Sequence, residues 1–271
     1  MNGIFRGLVI VVFSALGLSC GGPADTTFRI VVNEAGYEAP STIPSGLRHI
    51  TFENRGARIH EAMLVKLPGG MSADAYVAAV KAGSLFPQGA LDYSGPGLTS
   101  PGESTELWVK LDPGEYILIC WNNDDATEVP VHRFTVRTEE VNDVPPQADV
   151  TVKLADYHFD FEGEFRRGVQ VIRFETPGPS MHEADLYLLN DGKGAADLTR
   201  WRKDDSEPAP ARALGGILDS HDVTRVVWLR KNLAPGRYAW QCEMPMSTAP
   251  TGVTSDVTHA DYGMTREFEI K

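Results

Sequence analysis

The chain of 271 residues contains three Cys, too few for a disulfide-stapled scaffold. Outside one stretch at the N-terminus it has no run approaching the ~20 apolar residues of a spanning helix, which excludes a polytopic membrane protein. Blocks of Lys or Arg are missing, and 25 basic against 37 acidic side chains leave a formal charge of −12. A field of that sign repels phosphate backbones and argues against nucleic acid as a partner. Gly-x-Ser-x-Gly, His-Glu-x-x-His and phosphate-loop motifs are also absent. No enzyme is therefore expected, and no small-molecule substrate is assigned. What the chain does have is turn formers, 26 Gly and 18 Pro, in a composition 42% apolar and 23% charged. That is the make-up of a folded, β-rich protein.

Arg6 precedes an apolar run from Leu8 to Leu18, too short to span comfortably and in the order of a secretory signal. Ser19-Cys20-Gly21-Gly22 follows. This ending resembles the lipidation site of bacterial lipoproteins, although Gly17 stands where a larger aliphatic residue is usual. The resemblance implies a signal peptide over residues 1–19, a lipid on Cys20 and a short tether over residues 20–26. An ordinary cleaved signal is the alternative. Either way the chain is expected to be exported, to the periplasm or outer cell envelope, with a lipid anchor supplying any membrane attachment.

The rest of the chain is written twice. His60-Glu61-Ala62 recurs as His182-Glu183-Ala184, and Pro113-Gly114-Glu115-Tyr116 as Pro235-Gly236-Arg237-Tyr238, both 122 residues later. Cys120 recurs as Cys242 at the same offset. Three landmarks at one spacing indicate tandem duplication. The units occupy residues 27–138 and 148–271, with the acidic, Pro-containing segment 139–147 as a linker.

Within each unit the pattern predicts short strands. They open at Phe28–Val32 and Val150–Leu154, continue at His49–Glu53 and Val169–Glu175, and then at Ala62–Leu67 and Ala184–Leu189. Pro-Gly turns feed Tyr116–Cys120 and Tyr238–Cys242, and Phe134–Val136 and Phe268–Ile270 close the units. Helices are expected at Ala73–Lys81, with Ser72 as N-cap and Gly83 as stop, and at Ala196–Arg202. The predicted fold is all-β: two tandem Greek-key β-sandwiches, each with a short helix.

The second unit carries His182, Cys242, His259 and Met264. Two imidazoles, one thiolate and a weak thioether form the trigonal site with a long axial Met used by copper electron-transfer proteins. Gly263 would let the last loop turn sharply. Met181-His182-Glu183, the Pro-Gly-x-Tyr turn before Cys242 and Thr258-His259-x4-Met264 together resemble a cupredoxin, as does the opening Asp156-Tyr157-His158-Phe159. The resemblance covers both units and implies one copper ion in the second. Two features depart from small blue-copper proteins. The Cys242-to-His259 gap is wider, and Glu183 stands where an Asn usually braces the Cys loop. Met244 and Met246 are further soft donors nearby.

The first unit keeps His60 and Cys120 but has thirteen residues between Cys120 and Phe134, against 25 between Cys242 and Phe268. The missing segment is the one that carries His259 and Met264. His132 is the only substitute in reach, so this unit is expected to be degenerate and structural. The acidic turn Asp219-Ser220-His221-Asp222 is expected to be solvated. Paired His-x-His motifs for a trinuclear cluster are absent, as is a loop with two Cys for a binuclear centre. The expected function is an exported carrier of single electrons, with a redox protein as its possible partner. A metal-free binding module and a copper sequestration or delivery protein are the alternatives.

Overall fold

The computed structural model describes residues 27–84, 86–122, 130–204, 208–246 and 257–271. The expected signal peptide, Cys20 and the tether lie outside the described residues. Along the first half run β1 (Phe28–Asn33), β2 (Gly36–Glu38), β3 (Thr42–Asn54), β4 (Met63–Lys66), α1 (Ala73–Lys81), β5 (Leu91–Asp92), β6 (Ser104–Leu111), β7 (Gly114–Ile119) and β8 (Val131–Glu140). The second half has β9 (Val150–Ala155), β10 (His158–Glu162), β11 (Gly168–Glu175), β12 (Ala184–Leu189), α2 (Ala195–Trp201), β13 (Ala211–Ile217), β14 (Val227–Leu233), β15 (Gly236–Gln241), a 3-10 turn at His259–Tyr262 and β16 (Thr265–Ile270).

The fold is the all-β pair of sandwiches that the sequence predicts. In the first half β2, β1, β3 and β6 form one layer, and β8, β7, β4 and β5 the other. The 13-residue β3 belongs to both: residues 46–53 pair with β6, and residues 42–45 pair with β8. The chain changes layer between β3 and β4, β5 and β6, and β6 and β7, which is the Greek-key path. In the second half β10, β9, β11 and β14 face β13, β12, β15 and β16. Alternation drives both. Val150, Val152 and Leu154 of β9 point inward, while Thr151, Lys153 and Ala155 lie nearer water.

The 122-residue offset holds in three dimensions. β1 pairs in parallel with β3 at Phe28↔Ile50, and β9 with β11 at Val150↔Ile172, the same register one offset later. Gly46 and Gly168 each have φ of +102°, a left-handed geometry that only Gly adopts cheaply. Ser72 caps α1 as expected, its Oγ accepting from Ala75 N at 3.1 Å. α2 starts at Ala195, one residue before its predicted position.

The halves join edge to edge. β6 pairs antiparallel with β14 through Glu106↔Arg230, Leu107↔Leu229 and Trp108↔Trp228. Because Leu107 and Leu229 are one offset apart, equivalent strands meet about a local two-fold axis, as in an isologous dimer interface. Lys231 is buried at this seam, with Nζ donating to Ser104 O at 2.7 Å and to Leu214 O. Of residues 139–147, the first two continue β8. Beyond them Val141 N and Asp143 N donate to Ser45 O and Leu47 O, and Asp143 pairs with the buried Arg48, so the connection is laid along β3.

Two sequence expectations are corrected. The strands before Cys120 and Cys242 begin at Gly114 and Gly236, because the Gly residues are already in the ladder. The turn at residues 219–222 is docked rather than solvated: Asp219 is buried and His221 Nδ1 accepts from Asp92 N at 2.9 Å. Among the described residues no helix is long and apolar enough to cross a membrane.

Candidate metal centre

His182 lies just before β12, Cys242 follows β15 immediately, and His259 opens the 3-10 turn. β12 and β15 are hydrogen-bonded neighbours, paired at Asp185↔Gln241, so His182 and Cys242 sit side by side at one end of the sandwich. The loop that returns to β16 is fastened back onto this end. His259 N donates to Met244 O at 2.9 Å, Ala260 N to Cys242 O at 3.0 Å, and Cys242 N to Met264 O at 3.1 Å. Gly263, at φ of +92°, closes the turn as expected.

The resulting triad is tight and dry. Cys242 Sγ lies 3.4 Å from His259 Nδ1 and 4.0 Å from His182 Nδ1, and the two Nδ1 atoms are 3.0 Å apart. All three residues are buried. Among the described residues they are the only group of three His, Cys, Asp or Glu whose ligand atoms lie within 4.8 Å of one another. The triangle these distances define has a centre about 2 Å from every corner, against roughly 2.0–2.3 Å for metal–imidazole and metal–thiolate bonds. Two imidazoles and one thiolate around such a point are a donor set that could hold a metal ion of copper's size.

Met264 is fully buried beside them, its amide donating to His259 O at 3.0 Å and its carbonyl accepting from Cys242 N. Met244 is also buried, but it borders a cavity between the halves. His132 is half-buried on β8, its Nε2 3.4 Å from Pro40 O, and it does not replace His259 in the first half.

The environment sets the protonation of the donors. Burial pushes the Cys242 thiol well above its ordinary value. It lowers His182, against the opposing pull of Asp156, and brings His259 down to about 4 with help from the neighbouring His182. Both imidazoles are therefore neutral near pH 7, with lone pairs to offer. A metal bound here would take the place of the thiol proton.

Asp156 and Tyr157 are the functional residues that the sequence did not single out. They form the two-residue tip of the β9–β10 hairpin, where Ala155 pairs with His158. Asp156 Oδ1 is 3.0 Å from His182 Nε2, and the Tyr157 ring meets His259 edge-on at 5.3 Å. Tyr157 has φ of +64°, uncommon for a bulky residue. Its ring also contacts the exposed Tyr262. The visible signal was Glu34, one offset before Asp156 and likewise acidic at a hairpin tip.

The brace after the Cys differs between the halves. Glu61 accepts from Trp121 N at 2.7 Å and Asn122 N at 3.1 Å. Among the described residues no such bond joins its counterpart Glu183 to residues 243 and 244. Glu183 instead borders a cavity of about 730 Å³ between the halves, together with Glu61, Asp219 and Glu243. Arg202 faces these carboxylates and shields them in part.

No family model matches the chain, and no curated protein matches it. Solved structures do. An auracyanin from Roseiflexus castenholzii is 24% identical, over 42% of this chain and 98% of its own, with a TM-score of 0.28. Auracyanin A, a "blue" copper protein from Chloroflexus aurantiacus, is 20% identical over 41% and 99%, with a TM-score of 0.30. A multicopper oxidase is 12% identical over 90% and 88%, with a TM-score of 0.26. These are cupredoxins, the family that the sequence resembles. All three scores lie below 0.5, and the architecture rests on the strand order and register described above.

Proposed function

We propose that the protein is a cupredoxin-like electron carrier of the cell envelope, in which the second half holds one copper ion between His182, Cys242 and His259. The observation that carries this reading is the three-atom cluster, buried and spaced for an ion of copper's size. Bound copper would supply one-electron exchange between Cu(I) and Cu(II). The chain supplies the rest. Two strands and a cross-fastened loop fix the donors before any ion arrives, which limits rearrangement on electron transfer. Soft sulfur suits the reduced ion and imidazole tolerates the oxidised one. Asp156 orients His182, and Tyr157, its ring against Tyr262, covers His259. Met264, fully buried and joined by backbone hydrogen bonds to Cys242 and His259, would supply a weak thioether donor in this reading. Export through the N-terminal segment, attachment through Cys20 and docking to a redox protein complete it, and the negative charge suits a basic partner.

Voltammetry of the copper-loaded protein tests the carrier role. A reversible one-electron wave, with copper retained during dialysis against a chelator, supports it. Rapid loss of copper to the chelator would favour sequestration or delivery instead. Failure to take up copper would leave a metal-free binding module. Met264→Leu should shift the midpoint potential while leaving the copper bound.

A further inference from the structure

The offset that relates His182 to Cys242 also relates His60 to Cys120, and here too the geometry repeats. Cys120 Sγ lies 3.9 Å from His60 Nδ1, against 4.0 Å in the second half. Both residues are buried. His60 Nδ1 faces the sulfur at a distance too long for a strong hydrogen bond, and its Nε2 is buried with no hydrogen-bond partner among the described residues. The pair is nevertheless held firmly. Glu61 pins the two amides after Cys120, and the Tyr37 hydroxyl donates to Glu61 O within hydrogen-bond reach of the thiol.

We propose that His60 and Cys120 form a second metal site, for a soft monovalent ion, with Cu(I) as the ion its donors select. The second imidazole of the copper triad, that of His259, has no equivalent here, so a divalent ion that needs four donors is not served. A closed-shell monovalent ion needs only two. With bonds of roughly 2.0 and 2.3 Å, a sulfur–nitrogen separation of 3.9 Å opens the angle at the ion to about 130°, wider than tetrahedral. One thiolate and one neutral imidazole leave the complex without net charge, which suits a buried position. Binding breaks the Cys120 S–H bond, passes the proton to solvent and forms the sulfur–metal bond, with no change of oxidation state. His60 borders the cavity between the halves, and so do Met63 and Met244, whose thioethers offer soft contacts along the way in.

The side chains are not those of the copper triad, so the two sites stand or fall separately. The test is titration of the full chain with Ag(I), a redox-inert soft monovalent ion, in a Cys20→Ala background so that the third thiol does not contribute. Thiolate-to-metal ultraviolet absorption, with chelator competition, gives count and affinity. Two Ag(I) per chain are expected, falling to one in Cys120→Ser, one in Cys242→Ser and none in the double variant. His60→Gln should weaken the Cys120-dependent equivalent by at least ~10-fold while circular dichroism stays unchanged. A single Ag(I) per chain that survives Cys120→Ser overturns the proposal. So does a Cys120-dependent equivalent whose affinity is indifferent to His60→Gln, which is a bare thiol rather than a site.

Discussion

Asp156 Oδ1 sits 3.0 Å from His182 Nε2, and this bond decides which nitrogen of His182 is free to bind a metal. The hydrogen bond from His182 holds the Asp156 carboxyl below its ordinary value, so Asp156 is ionised and can only accept. Nε2 must then carry the proton, and Nδ1 presents its lone pair to Cys242 and His259. Asp156→Ala is expected to weaken copper binding by about 10–100-fold, and Asp156→Asn by less, because the amide oxygen still accepts. Competition with a copper chelator measures both. Native affinity in Asp156→Ala would show that the carboxylate does not position the ring.

Tyr157 is the other half of the same hairpin tip. Tyr157→Gly should be tolerated by the backbone, since Gly adopts φ of +64° without cost. It also removes the ring that covers the edge of His259. The variant is expected to keep copper while admitting small anions, so that azide perturbs its visible spectrum and not that of the native protein. Equal response in both would mean that Tyr157 does not close the site.

The cavity between the halves makes stability depend on pH. Asp219 is raised to about 7, chiefly by burial, and Glu61, Glu183, Asp185 and Glu243 are raised as well. A carboxyl whose folded pKa exceeds its unfolded value binds more protons in the folded state between the two. Its contribution is fully present below about pH 4 and is lost as pH rises through about 7 for Asp219. The protein should therefore melt at a higher temperature at pH 5.5 than at pH 8, and Asp219→Asn should reduce the difference. Thermal melts that show no such pH trend, or a trend unaffected by Asp219→Asn, would contradict this.

Gly46 holds the connection between the halves against β3. A Cβ there would lie 2.5 Å from Val141 O, on a backbone of φ +102°. Gly46→Ala is expected to cost more than ~1 kcal/mol and to loosen the Arg48–Asp143 tie. Gly36→Ala, where nothing lies within 4 Å, carries the backbone strain alone and serves as control in denaturant unfolding.

The fold and the triad were legible because duplication wrote the pattern twice. His60 with His182, Cys120 with Cys242, and the Pro-Gly turns gave an offset that the strand registers then obey. Period-two burial, as in β9, gave the strand type. Less visible were the features that depend on who sits opposite whom. Lys231 is a strand lysine whose burial follows only from the pairing of β6 with β14. Asp219 reads as part of a polar turn until the first half closes over it. Asp156 reads as part of an opening strand, yet its role comes from a hairpin tip folding over His182, 26 residues further along the chain. The twelve residues missing after Cys120 did identify the first half as lacking its second imidazole. They could not show that His60 and Cys120 would keep their spacing without it.

The measurement that bears most directly on the central claim is a Cu(II) titration of the purified protein followed by visible absorption. One equivalent per chain should produce an intense thiolate-to-copper band that disappears in Cys242→Ser and persists in Cys120→Ser. Copper uptake without that band, or a band that survives Cys242→Ser, would contradict a copper centre built on His182, Cys242 and His259.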